Sequence, residues 1–306
     1  MLEIITFIIG LLIFLLGLYI LRINLENLIG KKLQNILLAC TKTNIRSFFT
    51  GIITTAILQS SSAITILTIN LVNANILKFS QTIGIILGTN IGTTLTTEML
   101  TLNIEKYSFI LIITGFGLIL SFNKLKNLGA VLLGLGTIFK GLEIIKLVAK
   151  PLKEKGIIAI FVNQDFPILT GLLIGIVITA LIHSSSATIA MTMSFFATNA
   201  ISLDFAIAMV FGSNIGTCVT GIIAAIGTNT AAKQVAVAHI LLNVIGVFLF
   251  IPFIPFICTK INLLATEKSL QIAHVQTLFN ILCSLLVLPF ANSFAKIITF
   301  LIPTKT

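Results

Sequence analysis

Gln59-Ser60-Ser61-Ser62-Ala63 is a polar knot set in strongly apolar chain, directly behind Thr55-Ala56-Ile57-Leu58. It returns 124 residues later as His183-Ser184-Ser185-Ser186-Ala187, behind Thr179-Ala180-Leu181-Ile182. Hydroxyls and a carboxamide placed twice inside hydrocarbon-like sequence need partners, because an unpaired polar group in a bilayer costs several kcal/mol.

The surroundings are apolar throughout. Of 306 residues, 57% are hydrophobic and 9% charged, with mean hydropathy +1.14. A soluble domain carries about 25% charged residues, so this chain cannot cover a soluble surface. Span-length apolar runs recur from Leu2–Leu21 onward, and that first run lacks the basic start and cleavage site of a signal peptide. Long Ile/Leu-rich runs also exclude the short alternating strands of a β-barrel. The fold class is an all-α polytopic membrane protein.

The net charge is +10 and the pI about 9.6. The basic residues lie mostly in loops, with Arg22, Lys31, Lys32, Lys42 and Arg46 between the first span and the first knot. That pattern fits positive-inside topology and contact with anionic membrane lipid, not nucleic acid. Cys40, Cys218, Cys258 and Cys283 have no metal-like spacing and read as packing. The longest polar stretches, about 24–46 and 146–166, are too short for a soluble domain.

One constant offset organises the rest. Gly88-Thr89-Asn90-Ile91-Gly92-Thr93-Thr94 is matched 124 residues on by Gly212-Ser213-Asn214-Ile215-Gly216-Thr217-Cys218. Gly10 with Gly134, Gly17 with Gly141, Gly51 with Gly175 and Asn75 with Asn199 share that offset. Residues 1–306 therefore form a single transmembrane domain: repeat 1 about 3–124, repeat 2 about 127–248, and a C-terminal extension 249–306. Each repeat parses as a first span (about 3–21; 128–146) and two short apolar pieces flanking the knot (Ser47–Leu58 with Ala63–Val72; Pro167–Ile182 with Ala187–Thr198). A glycine-interrupted stretch (about 80–102; 204–226) and a last span (about 107–122; 234–252) follow. A twelve-residue piece reaches only about 18 Å, against a hydrocarbon core of about 30 Å. The knot therefore reads as the tip of a re-entrant hairpin, or alternatively as a polar turn within one full helix. The two glycines around each Asn predict a second break, a broken helix. With the hairpin not crossing, each repeat crosses three times, so the second copy is inverted, as in secondary transporters. The extension adds one span, about 276–302. Loop charge favours an external N-terminus.

Intramembrane acid is scarce: Glu3 sits at a span end and Glu98 after the first Asn motif. Clustered Ser, Thr, Asn and Gln oxygens suit a hard cation such as Na⁺. The same hydroxyls, with free N–H groups at half-helix N-termini, suit an oxyanion.

The paired Ser knots and paired Gly-x-Asn-Ile-Gly-Thr motifs resemble the type II sodium–phosphate cotransporter family. So do Ala232–Asn243, with its Ala-x-x-His-x-x-x-Asn pattern, and His274-Val275-Gln276-Thr277-Leu278-Phe279-Asn280. The likeness covers nearly the whole chain. Bacterial members often append a helical domain similar to a phosphate-uptake regulator, and the sequence to Thr306 carries none. The resemblance implies a cell-membrane symporter, not an enzyme, with no cofactor beyond Na⁺ as coupling ion and with a homodimer as a compatible assembly. Its implied phosphate site is Gln59, Ser60, Ser61 and Ser62 with His183, Ser184, Ser185 and Ser186. Its implied Na⁺ ligands are Gln59, Asn90, Thr93, Thr94, Ser184, Asn214 and Thr217. His239, Asn243 and Asn280 would stand behind them.

The family's second knot begins with Gln, where this chain has His183. Neutral imidazole lacks the carboxamide oxygen and titrates near neutrality, which leaves open altered Na⁺ coupling or a proton-linked variant. Transport of another oxyanion, phosphate export and an anion channel remain as alternatives. A membrane serine hydrolase does not fit, because the Ser triplet is duplicated and one copy has Gln in place of a base.

Overall fold

In a computed structural model, residues 1–29, 36–37, 41–102, 104–121, 123–159 and 166–303 are described. Lys31, Lys32 and Cys40 lie outside the described residues. Among those described, every regular element is helical. Five helical segments are long and apolar enough to cross a membrane: Leu2–Ile29, Asn123–Glu154, Leu203–Ala225, Thr230–Leu263 and Lys268–Leu301. The chain is a multi-pass helical membrane protein.

Repeat 1 comprises α1 (Leu2–Ile29), α2 (Asn44–Leu58), α3 (Ser61–Asn73), α4 (Phe79–Met99) and α5 (Ser108–Ser121). Repeat 2 comprises α6 (Lys126–Glu154), α7 (Pro167–Ile182), α8 (Ser185–Ala197), α9 (Leu203–Gly216), α10 (Cys218–Ala225) and α11 (Thr230–Phe250). Beyond them run α12 (Ile254–Lys260), α13 (Lys268–Val287) and α14 (Ala291–Leu301). The last span starts earlier than expected, at Lys268, and a 3-10 turn at Leu288–Phe290 interrupts it, where Pro289 withdraws a backbone donor.

Both knots break the chain in the same way. Gln59 (φ 54°, ψ 31°) and His183 (φ 57°, ψ 29°) are left-handed C-caps, each donating its N–H to the residue four back at 2.8 Å. Ser60 and Ser184 follow in extended conformation as N-caps of α3 and α8. In each triplet the first hydroxyl, on Ser60 or Ser184, turns to the backbone by capping the next helix, and the single-helix alternative is overturned. Asn75 and Asn199 repeat the left-handed conformation beyond the far ends of α3 and α8, a conformation Asn tolerates better than most residues.

Close packing fixes the path of each hairpin. A Cβ on Gly88 would lie 2.1 Å from the Phe48 carbonyl oxygen, and one on Gly92 2.6 Å from that of Ile52. Numbers rise together, so α2 and α4 run parallel and α3 must return the chain between them. The second copy repeats this with Gly212 on Leu172 (2.1 Å) and Gly216 on Ile176 (2.5 Å). These glycines serve helix approach, and the expected break in the Asn stretch does not occur in repeat 1. Helix α4 runs unbroken from Phe79 to Met99, with Thr89, Thr93 and Thr94 bonded back to carbonyls three or four residues earlier. In repeat 2 the only interruption is Thr217, still right-handed at φ −65°, ψ −20°.

Helices α1 and α6 cross antiparallel. A Cβ on Gly17 would stand 2.8 Å from the Gly134 oxygen, and one on Gly141 2.8 Å from the Gly10 oxygen. Gly134 is the counterpart of Gly10, and Gly141 that of Gly17. The two first helices thus meet through the same surface on each, as a local two-fold requires.

Candidate functional site

The site is built from the knots upward. Ser60 Oγ accepts the Ala63 N–H at 3.2 Å, and Ser184 Oγ accepts that of Ala187 at 3.3 Å. Each cap satisfies one first-turn N–H of a buried helix start and leaves others without a partner inside the helix, with Ser61 beside the first and Ser185 and Ser186 beside the second. Ser62 is half-buried and reaches the other repeat: Thr220 Oγ1 donates to its Oγ at 3.3 Å.

The first residues of the knots differ. Gln59 is buried, and its Nε2 donates to the Ala56 carbonyl, which leaves Oε1 buried without a partner. His183 has the same backbone conformation, yet its side chain is exposed.

Both Asn motifs meet a second amide. Asn90 Nδ2 donates to Asn243 Oδ1 at 3.3 Å. Asn214 Nδ2 donates to Gln276 Oε1 at 2.9 Å, and Gln276 Nε2 returns a bond to Asn214 Oδ1 at 3.3 Å. On α11, Asn243 Nδ2 also donates to the His239 carbonyl at 2.9 Å; on α13, Asn280 Nδ2 donates to the Gln276 carbonyl at 2.9 Å. So Gln276-x-x-x-Asn280 repeats the Asn-to-carbonyl bond of His239-x-x-x-Asn243, but here the first residue, Gln276, and not the Asn meets the motif asparagine. Sequence reasoning missed Gln276 and Thr220; the shared four-residue spacing to an Asn was the available signal for Gln276.

Thr93 and Thr94 are buried on α4, and Thr217 is buried where α9 passes into α10. His239 is buried with neither ring nitrogen bonded; with Thr65 it converges on Gly221, whose Cβ would lie 3.7 Å from Nδ1 and 3.5 Å from Thr65 Cγ2. His274 lies apart from the amides, its Nδ1 3.2 Å from Glu98 Oε1, which also accepts from Thr277 Oγ1 at 2.6 Å.

Buried oxygens without partners are concentrated in these elements. Gln59 Oε1, Asn280 Oδ1 and the hydroxyls of Thr55, Thr65 and Thr96 make no hydrogen bond. Gln59 and Thr96 line one small cavity with Leu21, Met99 and Phe139. Each orphan costs about 1–3 kcal/mol, and neutral carboxamide and hydroxyl oxygens are the donor type a hard cation takes. The donor chemistry fits Na⁺.

A doubled Ser-capped hairpin, each copy packed in parallel on an Asn-bearing helix, is matched across the chain by one sequence family. The model of the Na⁺/Pi-cotransporter family fits residues 13–147 and 155–281. The chain belongs to the Na⁺/Pi-cotransporter family.

Among relatives, the uncharacterized protein YqeW of Bacillus subtilis (strain 168) is 40% identical over 307 residues, covering 100% of both chains. The putative inorganic phosphate export protein YjbB of Escherichia coli (strain K12) is 28% identical over 92% of this chain, which spans 52% of that protein. The sodium-dependent phosphate transport protein 2B of Rattus norvegicus is 36% identical over 112 residues, 33% of this chain and 16% of its own length. No solved structure matches. The cotransporter family accounts for both halves of the chain, and its two matched segments each contain one Ser knot.

Proposed function

We propose that this protein is a secondary active transporter that couples Na⁺ to the movement of inorganic phosphate across the cell membrane by alternating access. The observation that carries this is the pair of knots: two buried helix N-termini of equal geometry, capped by Ser60 and Ser184, beside buried oxygens lacking partners. Helix-start N–H groups and Ser hydroxyls bind the oxyanion, and the orphan carboxamide and hydroxyl oxygens bind Na⁺. Each ion offsets the other's charge in a low dielectric, which is the physical basis of coupling.

The ligand roles proposed are those of the knots, from Gln59 to Ser62 and from His183 to Ser186, with Asn90, Thr93, Thr94, Asn214 and Thr217 on the cation side. Asn243 and Gln276 orient the two motif asparagines, while Asn280, bonded to the Gln276 carbonyl, and His239 stand behind them. The whole chain acts as one domain of two inverted repeats, a reading supported by the shared surface through which α1 and α6 meet. Hairpin helices of 15 and 13 residues, about 22 and 20 Å long at 1.5 Å per residue, support a re-entrant tip near mid-membrane.

Outward movement of phosphate is a second reading, favoured by the likeness to the putative inorganic phosphate export protein of Escherichia coli. The test is radiolabelled phosphate flux in proteoliposomes, in both directions, with and without a Na⁺ gradient. Saturable flux stimulated by Na⁺ is expected. Phosphate flux indifferent to Na⁺ would remove the coupling, and none in either direction would remove the substrate.

A further inference from the structure

Arg22 and Lys146 occupy the same position in the two first helices, 124 residues apart, and their charges meet different fates. Lys146 is ion-paired with Glu105. Arg22 is half-buried on α1 and donates its Nε–H to the Gln59 carbonyl at 3.0 Å. Among the described residues no carboxylate lies within ion-pair distance of Arg22, and its two terminal amino groups bond to no described residue. The next residue back, Leu21, lines the small cavity that holds Gln59 and Thr96.

The guanidinium is therefore fixed at the left-handed cap of the first knot, one residue from Ser60. Every other group in that locus is neutral. A desolvated cation without a counter-ion is costly, and an anion placed beside it removes the cost. Guanidinium also suits an oxyanion geometrically, since its planar fork can give two parallel N–H donors to phosphate oxygens while Nε stays engaged elsewhere. The second copy offers no such charge, because Glu105 neutralises Lys146.

We infer that Arg22 is the fixed positive charge of the anion site, donating through its terminal amino groups to the substrate oxyanion at the first knot. This rests on the phosphate-transport reading above and deepens it: the two knots divide the labour, with the substrate's negative charge seated at Gln59–Ser62. The second knot then contributes its Ser hydroxyls and helix-start N–H groups.

The test compares Arg22→Lys, which keeps the charge, with Arg22→Gln, which keeps an N–H donor but not the charge. Both are measured in proteoliposomes for the phosphate KM, the maximal rate and the Na⁺ half-saturation. Loss of a charged donor to phosphate predicts a KM raised by roughly tenfold or more in Arg22→Gln, with Arg22→Lys recovering most of it. The Na⁺ half-saturation at saturating phosphate stays near wild type in both. Unchanged KM in Arg22→Gln would overturn the inference while leaving the transport reading intact. So would equal loss of maximal rate in both variants at unchanged KM, the mark of a purely structural clip on the turn. Wild-type protein that moves no phosphate would instead refute the transport reading, and the assignment of phosphate to Arg22 with it.

Discussion

Asn214 and Gln276 exchange two hydrogen bonds, at 2.9 and 3.3 Å, across the contact between repeat 2 and the C-terminal extension. Both side chains are buried, so neither amide can turn to water if its partner is lost. Gln276→Ala should leave Asn214 half-satisfied and cost about 1–3 kcal/mol of stability. It should also release Asn214 from its orientation. Thermal unfolding in detergent and the Na⁺ dependence of phosphate flux should both shift. A variant normal in both would show that the pair is dispensable.

The helix crossing at Gly17 and Gly134 admits no side chain, because a Cβ on Gly17 would sit 2.5 Å from the Ile138 nitrogen and 2.8 Å from the Gly134 oxygen. Those are backbone atoms and cannot swing aside. Gly17→Ala should therefore force α1 and α6 apart, at about 1–3 kcal/mol, the range for overpacking. Gly117→Ala is the control, since nothing lies within 4 Å of its added Cβ. Thermal stability of the two purified variants, side by side, checks this; equal melting points would count against the crossing.

At Gln59 backbone and side chain can be separated. Gly takes the left-handed conformation without steric cost, so Gln59→Gly should preserve or slightly raise stability, by up to about 1 kcal/mol. The same change removes the buried Oε1 that lacks a partner. Na⁺ stimulation of flux should fall while the fold survives. Full Na⁺ stimulation in a stable Gln59→Gly protein would exclude the carboxamide as a ligand.

His183 is exposed where its counterpart Gln59 is buried, so the two knots present their first side chains differently. Replacing it by Gln restores the carboxamide oxygen found at the matching place in the first knot and should change the Na⁺ dependence of transport more than the phosphate KM. Identical Na⁺ dependence in His183→Gln and wild type would end any role for the exchange of carboxamide for imidazole at this position.

Much of this was legible from spacing. Two polar knots at one offset were enough to foresee the chain break at Gln59–Ser60 and His183–Ser184, because repeated hydroxyls at a fixed place in apolar chain have few other uses. The helix boundaries followed closely, Pro167–Ile182 among them. The first Asn stretch was misread as a broken helix, while the second is interrupted only at Thr217. A glycine looks the same in sequence whether it ends a helix or lets another helix approach. Gly88 does the second, with its partner Phe48 forty residues away. Gln276 and Arg22 were passed over for a related reason. Arg22 lies in no doubled motif and Gln276 only in a loose four-residue spacing to an Asn, and the role of each shows through a partner that the fold brings to it, the Gln59 carbonyl in one case and Asn214 in the other.

The central claim is that the two knots form one site, although they are far apart in sequence and only the first has Arg22 beside it. It is tested most directly by Ser61→Ala and Ser185→Ala, each reconstituted separately and assayed for Na⁺-driven uptake of radiolabelled phosphate. Both are small changes at buried helix starts whose capping hydroxyls, on Ser60 and Ser184, stay in place. A shared site predicts that either substitution alone cuts uptake by roughly tenfold or more, as loss of one charge-assisted hydrogen bond to the anion would. Wild-type uptake in either variant would contradict it.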